Sequence, residues 1–127
     1  MGPSTEDTVG RARLDPLAST LRGHLQQLAR ARSTTTLSRL RSAGIALPRL
    51  SHDDLLDLLA LVDQETPPGE PLLAGLLTTS AGHPHPLLPQ VLARAGRDGT
   101  GDDETLRARW AVDVLRLYQT WRHRTTQ

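Results

Sequence analysis

The stretch SHDDLLDLLALVD, residues 51–63, carries the clearest helix signal in the chain. Ser51 stands before Asp53 and Asp54, and a hydroxyl followed by acids is typical of a helix start, where the helix dipole favours negative charge. Apolar residues then recur at the spacing of one helical face. They are Leu55, Leu58, Leu59 and Val62, with Leu56 and Leu61 widening the stripe. We expect an amphipathic helix with leucines in the core and acids in solvent.

Helical periodicity recurs on both sides of this stretch. Asp15 and Pro16 suit the cap and the first position of a long helix, because proline lacks the N–H that this position leaves unbonded. Towards the other end of the chain an apolar stripe recurs every three or four residues. It consists of Leu106, Trp110, Val114, Leu117 and Trp121. The predicted helices cover residues 16–31, 37–43, 51–63, 90–95 and 103–123.

Residues 71–86 leave two alternatives open, a hairpin-like wing and a short helix. The run Leu72–Thr79 has the length of a strand, and Ser80–Gly82 suits a turn. Proline cannot donate to a β ladder, so the prolines after the turn limit a return strand to a short edge piece. The wing is the favoured alternative. We therefore predict a mainly α domain of five to six helices over residues 14–124, winged-helix-like with one short β-hairpin if the wing forms, after a flexible segment over residues 1–13.

The composition agrees with a helical domain. The 127 residues suit one domain, and the core must come from 24 leucines, since there is one isoleucine and no phenylalanine. The chain has no cysteine, which excludes disulfides and thiolate chemistry. All 15 basic residues are arginine, a bias that fits a GC-rich bacterial genome. No secretory signal and no membrane span are visible in the sequence, so we expect a cytoplasmic protein with no membrane contact.

Opposite charges occupy separate blocks of the sequence. Residues 11–49 contain eight arginines and one acid, whereas residues 50–71 contain six acids and no arginine. Residues 98–104 add four acids, and residues 105–127 return five arginines against one acid. Segregated charge gives a dipolar surface, and such surfaces attract charged partners. The formal net charge of +1 conceals this pattern.

Several short patterns suggest catalysis or metal binding, but each has a simpler explanation. His83 and His85 lie two residues apart, yet a zinc site needs three or four ligands. The loop from Asp98 fails the calcium-loop template at its sixth and twelfth positions, and is better explained as a solvated loop that caps the last helix. No nucleotide-binding or nucleophile motif is present. We predict no catalytic residue, no metal and no cofactor, and therefore no enzyme.

The first arginine block is the best candidate for a binding site. Its arginines surround a threonine-rich break between two predicted helices, where Thr35 or Thr36 is expected to cap the second helix. Guanidinium groups, hydroxyls and helix-terminal N–H groups are the usual contacts to phosphate. The predicted nucleic-acid-binding residues are Arg30, Arg32, Thr34, Thr35, Thr36, Arg39 and Arg41. The second block could extend this patch with Arg107, Arg109, Arg116, Arg122 and Arg124. This predicts a small DNA-binding or regulatory module.

The acidic block supports an alternative function, a protein-interaction adaptor. Its acidic face could meet the arginine face of a second copy, because head-to-tail contacts between two different faces build rings or filaments. The residues predicted for this partner-binding face are Asp53, Asp57, Asp63 and Glu65. Nucleic acid, another protein and a second copy of the chain are thus the candidate partners.

The order of these elements resembles the winged-helix DNA-binding part of the alkyltransferase-like proteins. The matching pieces are the segment Thr34–Leu40, the helix over 51–63 and the run Leu72–Leu77, within residues 14–80. The resemblance implies a recognition helix over 51–63 followed by a β wing. The family's reactive Pro-Cys-His-Arg motif is absent, which excludes alkyl transfer. The acids of the would-be recognition helix would repel phosphates, so we expect the arginines to make the phosphate contacts.

Overall fold

The computed structural model describes residues 3–45, 47, 50–97, 99–122 and 124, with side chains from residue 14 onward. It contains five α helices and one 3₁₀ helix, and over the described ranges no β strand forms. The helices are α1 (Pro3–Arg30), α2 (Leu37–Ser42), α3 (His52–Val62), the 3₁₀ helix (Leu73–Leu76), α4 (Leu88–Arg94) and α5 (Asp103–Arg122). The prediction of a small, mainly α domain is confirmed.

The helix ends show where local sequence signals were sufficient. Ser51 caps α3 by accepting a hydrogen bond from the Asp54 N–H at 3.1 Å, and Thr36 caps α2 in the same way. Asp102 caps α5 through the N–H of Thr105, which confirms that this loop caps the last helix. Hydroxyl and carboxylate caps are local devices, so the sequence alone could identify them.

The predicted start of the first helix is wrong. The helix α1 begins at Pro3 and continues through Pro16, instead of starting there. A proline inside a helix removes one backbone hydrogen bond, but this does not end α1. Residues 3–13, predicted as a flexible segment, are therefore helical backbone. The signal at Asp15 and Pro16 was compatible with a helix start but did not require one.

The segment Pro71–Thr78 forms the centre of the domain and is buried along its whole length. The helices α1, α3, α4 and α5 all pack against the 3₁₀ helix within it. Leu73, Leu76 and Leu77 are almost inaccessible to solvent. Full burial of a leucine side chain contributes about 1.5–3 kcal/mol, so this short run anchors the core.

The predicted β wing does not form. Residues 72–77, expected to be its first strand, are mostly the 3₁₀ helix, followed by isolated bridges at Leu77 and Thr78. Thr78 pairs with Pro84 across a tight turn, and Leu77 pairs with Thr35 in parallel. A strand within a sheet needs long partners on its flanks, whereas the neighbours here are helices and single residues. The alternative of a short helical segment is the closer description.

A buried segment without a sheet must find other partners for its backbone polar groups. The carboxylate of Asp63 accepts hydrogen bonds from the N–H groups of Leu73 and Ala74, at 2.8 and 2.9 Å. The indole Nε1 of Trp110 donates to the Gly75 carbonyl at 2.7 Å. Two side chains from distant elements thus replace the bonds that a β partner would supply.

A search of the described helices for a run long and apolar enough to cross a bilayer finds none.

Candidate nucleic-acid interface

Arginines from both basic blocks meet where the C-terminal ends of α1 and α5 lie together. The guanidinium carbon of Arg30 lies 5.5 Å from the centre of the Trp121 ring, and that of Arg124 lies 4.5 Å from it. Arg32 lies 6.0 Å from the Tyr118 ring, one turn earlier on α5. These are cation–π distances. Residues about 90 positions apart in sequence therefore contribute to one cationic region.

We use the name basic surface for two groups taken together, the stacked arginines Arg30, Arg32 and Arg124 and the exposed arginines Arg39 and Arg41 of α2. Arg39 and Arg41, which also belong to the first block, are exposed on α2, and this helix begins five residues after Arg32. Arg41 also donates to the Leu47 carbonyl at 3.5 Å. The Thr36 hydroxyl accepts a hydrogen bond from the Arg39 N–H and caps α2. This cap fixes the start of the helix that carries Arg39 and Arg41.

Arg32 occupies an unusual backbone conformation at the end of α1. Its φ is +57°, in the left-handed region that glycine prefers. The N–H of Arg32 donates to the Ala29 carbonyl, and the N–H of Ser33 donates to Leu28, the pair of bonds that ends a helix in a Schellman motif. A side chain at this position costs roughly 1–2 kcal/mol relative to a right-handed conformation. The chain carries an arginine here, where glycine would be easier to accommodate.

The three threonines have different roles. Thr35 is only 3% exposed; its N–H donates to the Leu76 carbonyl, and its own carbonyl accepts from Thr78. A hydroxyl buried in this way cannot touch a phosphate, so Thr35 is corrected to a structural residue that joins the break to the central segment. Thr34 and Thr36 are half-buried and keep partial access to solvent.

One arginine of the first block, Arg22, interacts electrostatically with Asp63 of the acidic block, but four others have no such partner among the described residues. Among the described residues, no ion pair involves Arg30, Arg32, Arg39 or Arg41. Arg124 is the member of the basic surface that does form one, with Glu70. Arg30 has a buried Nε atom with no hydrogen-bond partner, so stacking on Trp121 holds it instead of a carboxylate.

Tyr118, whose ring lies against the Arg32 guanidinium, is an uncharged partner. Burial raises the pKa of Tyr118, and the nearby Arg32 charge lowers that pKa by a smaller amount. The phenol therefore stays protonated at neutral pH, and its ring offers a face to the guanidinium without forming an ion pair.

The second basic block divides between two places. Arg124 joins the basic surface, and Arg122 is exposed in the last turn of α5. By contrast, Arg107, Arg109 and Arg116 line a cleft beside the first half of α5. The expectation that the whole block extends one patch is therefore correct only at its C-terminal end.

The acids predicted to bind a partner are also divided. Asp53 and Glu65 are exposed, whereas Asp57 forms an ion pair with Arg94 on α4. Asp63 is only 5% exposed and bonds to the central segment, so it cannot belong to an interaction face and is corrected to an internal residue. A self-association face built from all four acids does not exist in this fold.

Asp63 is the centre of an internal polar cluster. Besides two backbone N–H groups, its carboxylate accepts from the Thr66 hydroxyl at 2.8 Å, and Thr66 in turn receives a bond from Arg22. Arg22 also donates to the Val62 carbonyl at 2.6 Å. Burial raises the pKa of Asp63, and these hydrogen bonds and the Arg22 charge act against that rise.

Sequence reasoning missed Trp121 and Tyr118 as parts of the basic surface. Trp121 was assigned to the core from the apolar stripe of α5, and Tyr118 was given no role. Trp121 does lie in the core, 7% exposed, but it also supports Arg30 and Arg124. The available signal was their position, since each is within four residues of arginines and lies at the end of a helix.

The chain matches no protein-family model, no curated protein and no solved structure.

Proposed function

We propose that this protein is a non-enzymatic nucleic-acid-binding module that contacts phosphates through the basic surface. The observation that carries this proposal is the meeting of Arg30 and Arg124 on one tryptophan, beside Arg32 on Tyr118. Two separate arginine blocks contribute to one region in which most members have no carboxylate partner among the described residues. We expect Thr34 and Thr36, half-buried in the segment before α2, to add hydroxyl contacts.

Stacking explains how arginines without acid partners can be held in place. A guanidinium uses its flat face against an aromatic ring, while its N–H donors remain at its edge. Such a group is partly ordered before a ligand arrives, so it loses less conformational freedom on binding a phosphate. The geometry therefore suits recognition of phosphate better than a role in internal neutralisation.

The acids of α3 limit the mode of binding. Asp53 and Asp54 are exposed in the first turn of the helix that would enter a groove in a winged-helix protein. Phosphates on either side of a groove would repel them. The β wing is also missing among the described residues. We therefore propose contact with the phosphate backbone and little discrimination between sequences, because phosphate contacts carry no base information.

The proposal is tested by fluorescence anisotropy with a labelled random-sequence DNA duplex over a salt series. Each phosphate that an arginine neutralises contributes about 0.9 to the slope of log affinity against log salt. Contacts from Arg32, Arg39 and Arg41 therefore predict a slope of about −3. Absence of binding at low salt would refute the proposal.

A triple variant of the basic surface and a single control variant outside it test whether the binding belongs to this surface. The triple variant Arg32→Gln, Arg39→Gln, Arg41→Gln should reduce the magnitude of the salt slope by about 2–3. Arg94→Gln removes one arginine from α4, where its only described carboxylate partner is Asp57, and should leave the slope unchanged. Equal slopes in the wild type and the triple variant would place the binding elsewhere.

A further inference from the structure

A cleft of about 500 Å³ lies between α4 and the first half of α5. Its floor is the central segment at Leu72 and Gly75, with the Trp110 ring beside them. Leu88 and Leu92 of α4 form one wall, and Leu106 of α5 contributes to the other. A volume of this size and a largely apolar lining are typical of small-molecule sites.

A hydrogen bond and several prolines restrict the conformation of the cleft walls in the absence of a ligand. The Trp110 indole is fixed by its hydrogen bond to the Gly75 carbonyl. The turn that closes the cleft on one side contains Pro84 and Pro86, and α4 begins with Pro89 in its first turn. Proline restricts the backbone and an anchored indole keeps its ring orientation, so this shape requires little ordering on binding.

The mouth of the cleft is predominantly cationic. Four arginines line it, against two carboxylates. The arginines are Arg97, Arg107, Arg109 and Arg116, and the acids are Asp103 and Asp113. Arg116 and Asp113 pair with each other at 3.5 Å, so these two charges cancel, and Arg97 and Arg107 carry the excess over Asp103.

His85 in the lining does not add to this charge. Burial lowers the pKa of His85, and the nearby His52 lowers it further, so the ring is neutral at neutral pH. Its Nδ1 accepts a hydrogen bond from the Leu87 N–H at 3.1 Å, which leaves Nε2 as the protonated nitrogen. The arginines therefore supply the permanent positive charge of the cleft.

We propose that this cleft binds a small amphipathic anion, with an aromatic or short aliphatic body against Trp110 and the leucines and one carboxylate or sulfonate at the arginines. The apolar floor favours a ligand with an apolar body, and the excess of arginine over carboxylate favours a ligand with negative charge. This inference is independent of nucleic-acid binding, because the cleft and the basic surface share no residue.

The test uses two probes that share one aromatic body and differ by a sulfonate group, 8-anilinonaphthalene-1-sulfonate and the uncharged N-phenyl-1-naphthylamine. The chain has two tryptophans, so a ¹H–¹⁵N spectrum contains two indole signals, which a Trp121→Phe variant assigns. The sulfonate should shift the Trp110 indole signal to saturation and leave that of Trp121 unchanged. The uncharged probe should bind at least about tenfold more weakly, because it lacks the arginine contacts.

Charge variants complete the experiment. Arg107→Gln removes an exposed arginine of the mouth and should weaken the sulfonate by about threefold to fivefold without affecting the uncharged probe. Arg94→Gln, which lies outside the cleft, carries the same change of net charge and should leave both affinities unchanged. The same spectra show whether each variant is folded.

Three outcomes would overturn the inference. In the first, the Trp110 signal does not move, or the Trp121 signal moves in its place. In the second, both probes bind equally well, which would make the cleft merely apolar. In the third, Arg94→Gln weakens the sulfonate as much as Arg107→Gln does, which would reduce the effect to net charge.

Discussion

Asp63 and Arg32 each follow the end of a helix, yet the chain uses their charges in opposite ways. Asp63, after α3, turns inward and bonds to the backbone of the central segment. Arg32, after α1, stays exposed and rests on Tyr118 with no carboxylate partner among the described residues. The first charge replaces a missing β partner, whereas the second remains available to a ligand. Charges of similar prominence in the sequence therefore divide into a structural group and a binding group.

The largest loss of stability should follow from removing the buried carboxylate of Asp63. Asp63→Ala leaves the buried N–H groups of Leu73 and Ala74 without an acceptor, and each such loss costs about 1–3 kcal/mol. We expect the free energy of unfolding, measured with urea, to fall by about 3 kcal/mol or more. Asp53→Ala removes an exposed acid from the same helix and should change it by less than about 1 kcal/mol. Similar losses in the two variants would contradict the internal role of Asp63.

The same residue predicts a dependence on pH with a definite sign. Burial raises the pKa of Asp63 above its ordinary 3.8, so the folded protein keeps this proton to a higher pH than the unfolded chain does. As pH rises through the window above 3.8, the unfolding free energy should fall relative to that of Asp63→Asn, which does not titrate. Urea unfolding of both proteins across this window measures the difference. A difference that grows in favour of the wild type with rising pH would show that the hydrogen bonds outweigh burial.

Sequence patterns could identify the helices but not these two roles. The capping hydroxyl of Ser51 and the stripe of α5 are local features, so they predicted the helix types and several of their ends. The fate of Asp63 depends on Leu73 and Ala74, ten and eleven residues away, which no local pattern specifies. A hint was present, because Asp63 lies four residues after the buried Leu59, at the edge of the apolar stripe.

The central segment failed as a predicted strand for a related reason. Its apolar run correctly indicated burial, but a buried run is compatible with a strand or with a helical turn. The choice depended on which groups were available to bond its backbone. Those groups are the side chains of Asp63 and Trp110 and the backbone of Thr35, and none of them is adjacent in sequence. The basic surface was predictable in its first block and not in its aromatic support.

A moderate loss of stability is expected when the hydrogen bond from Trp110 to the Gly75 carbonyl is removed. Trp110→Phe keeps an aromatic ring but removes the N–H that donates to the buried Gly75 carbonyl. The free energy of unfolding should fall by about 1–2 kcal/mol in urea titrations. Trp121→Phe makes the same change of ring at a tryptophan that packs in the core and stacks on arginines, with no side-chain hydrogen bond described for its indole, so it measures the cost of the smaller ring alone. Equal losses would mean that ring size, and not the hydrogen bond, accounts for the effect.

The smallest effect on stability, and a clear one on binding, is expected at Arg32. Arg32→Gly relieves the left-handed backbone at the end of α1 but increases the freedom of the unfolded chain and removes the contact with Tyr118. These terms oppose one another, so the free energy of unfolding should change by less than about 1 kcal/mol. Binding to duplex DNA should weaken, with the salt slope smaller by about 1.

Arg39→Gly is the control variant for Arg32→Gly. Arg39 lies within α2, where glycine destabilises a helix by about 1 kcal/mol, so this variant should lose both stability and DNA affinity. Arg32→Gly should lose affinity alone, as measured by urea unfolding and anisotropy on the same preparations. If Arg32→Gly instead destabilises the fold as much as Arg39→Gly and leaves DNA binding intact, then Arg32 is structural, and the division between inward and outward charges fails at its clearest example.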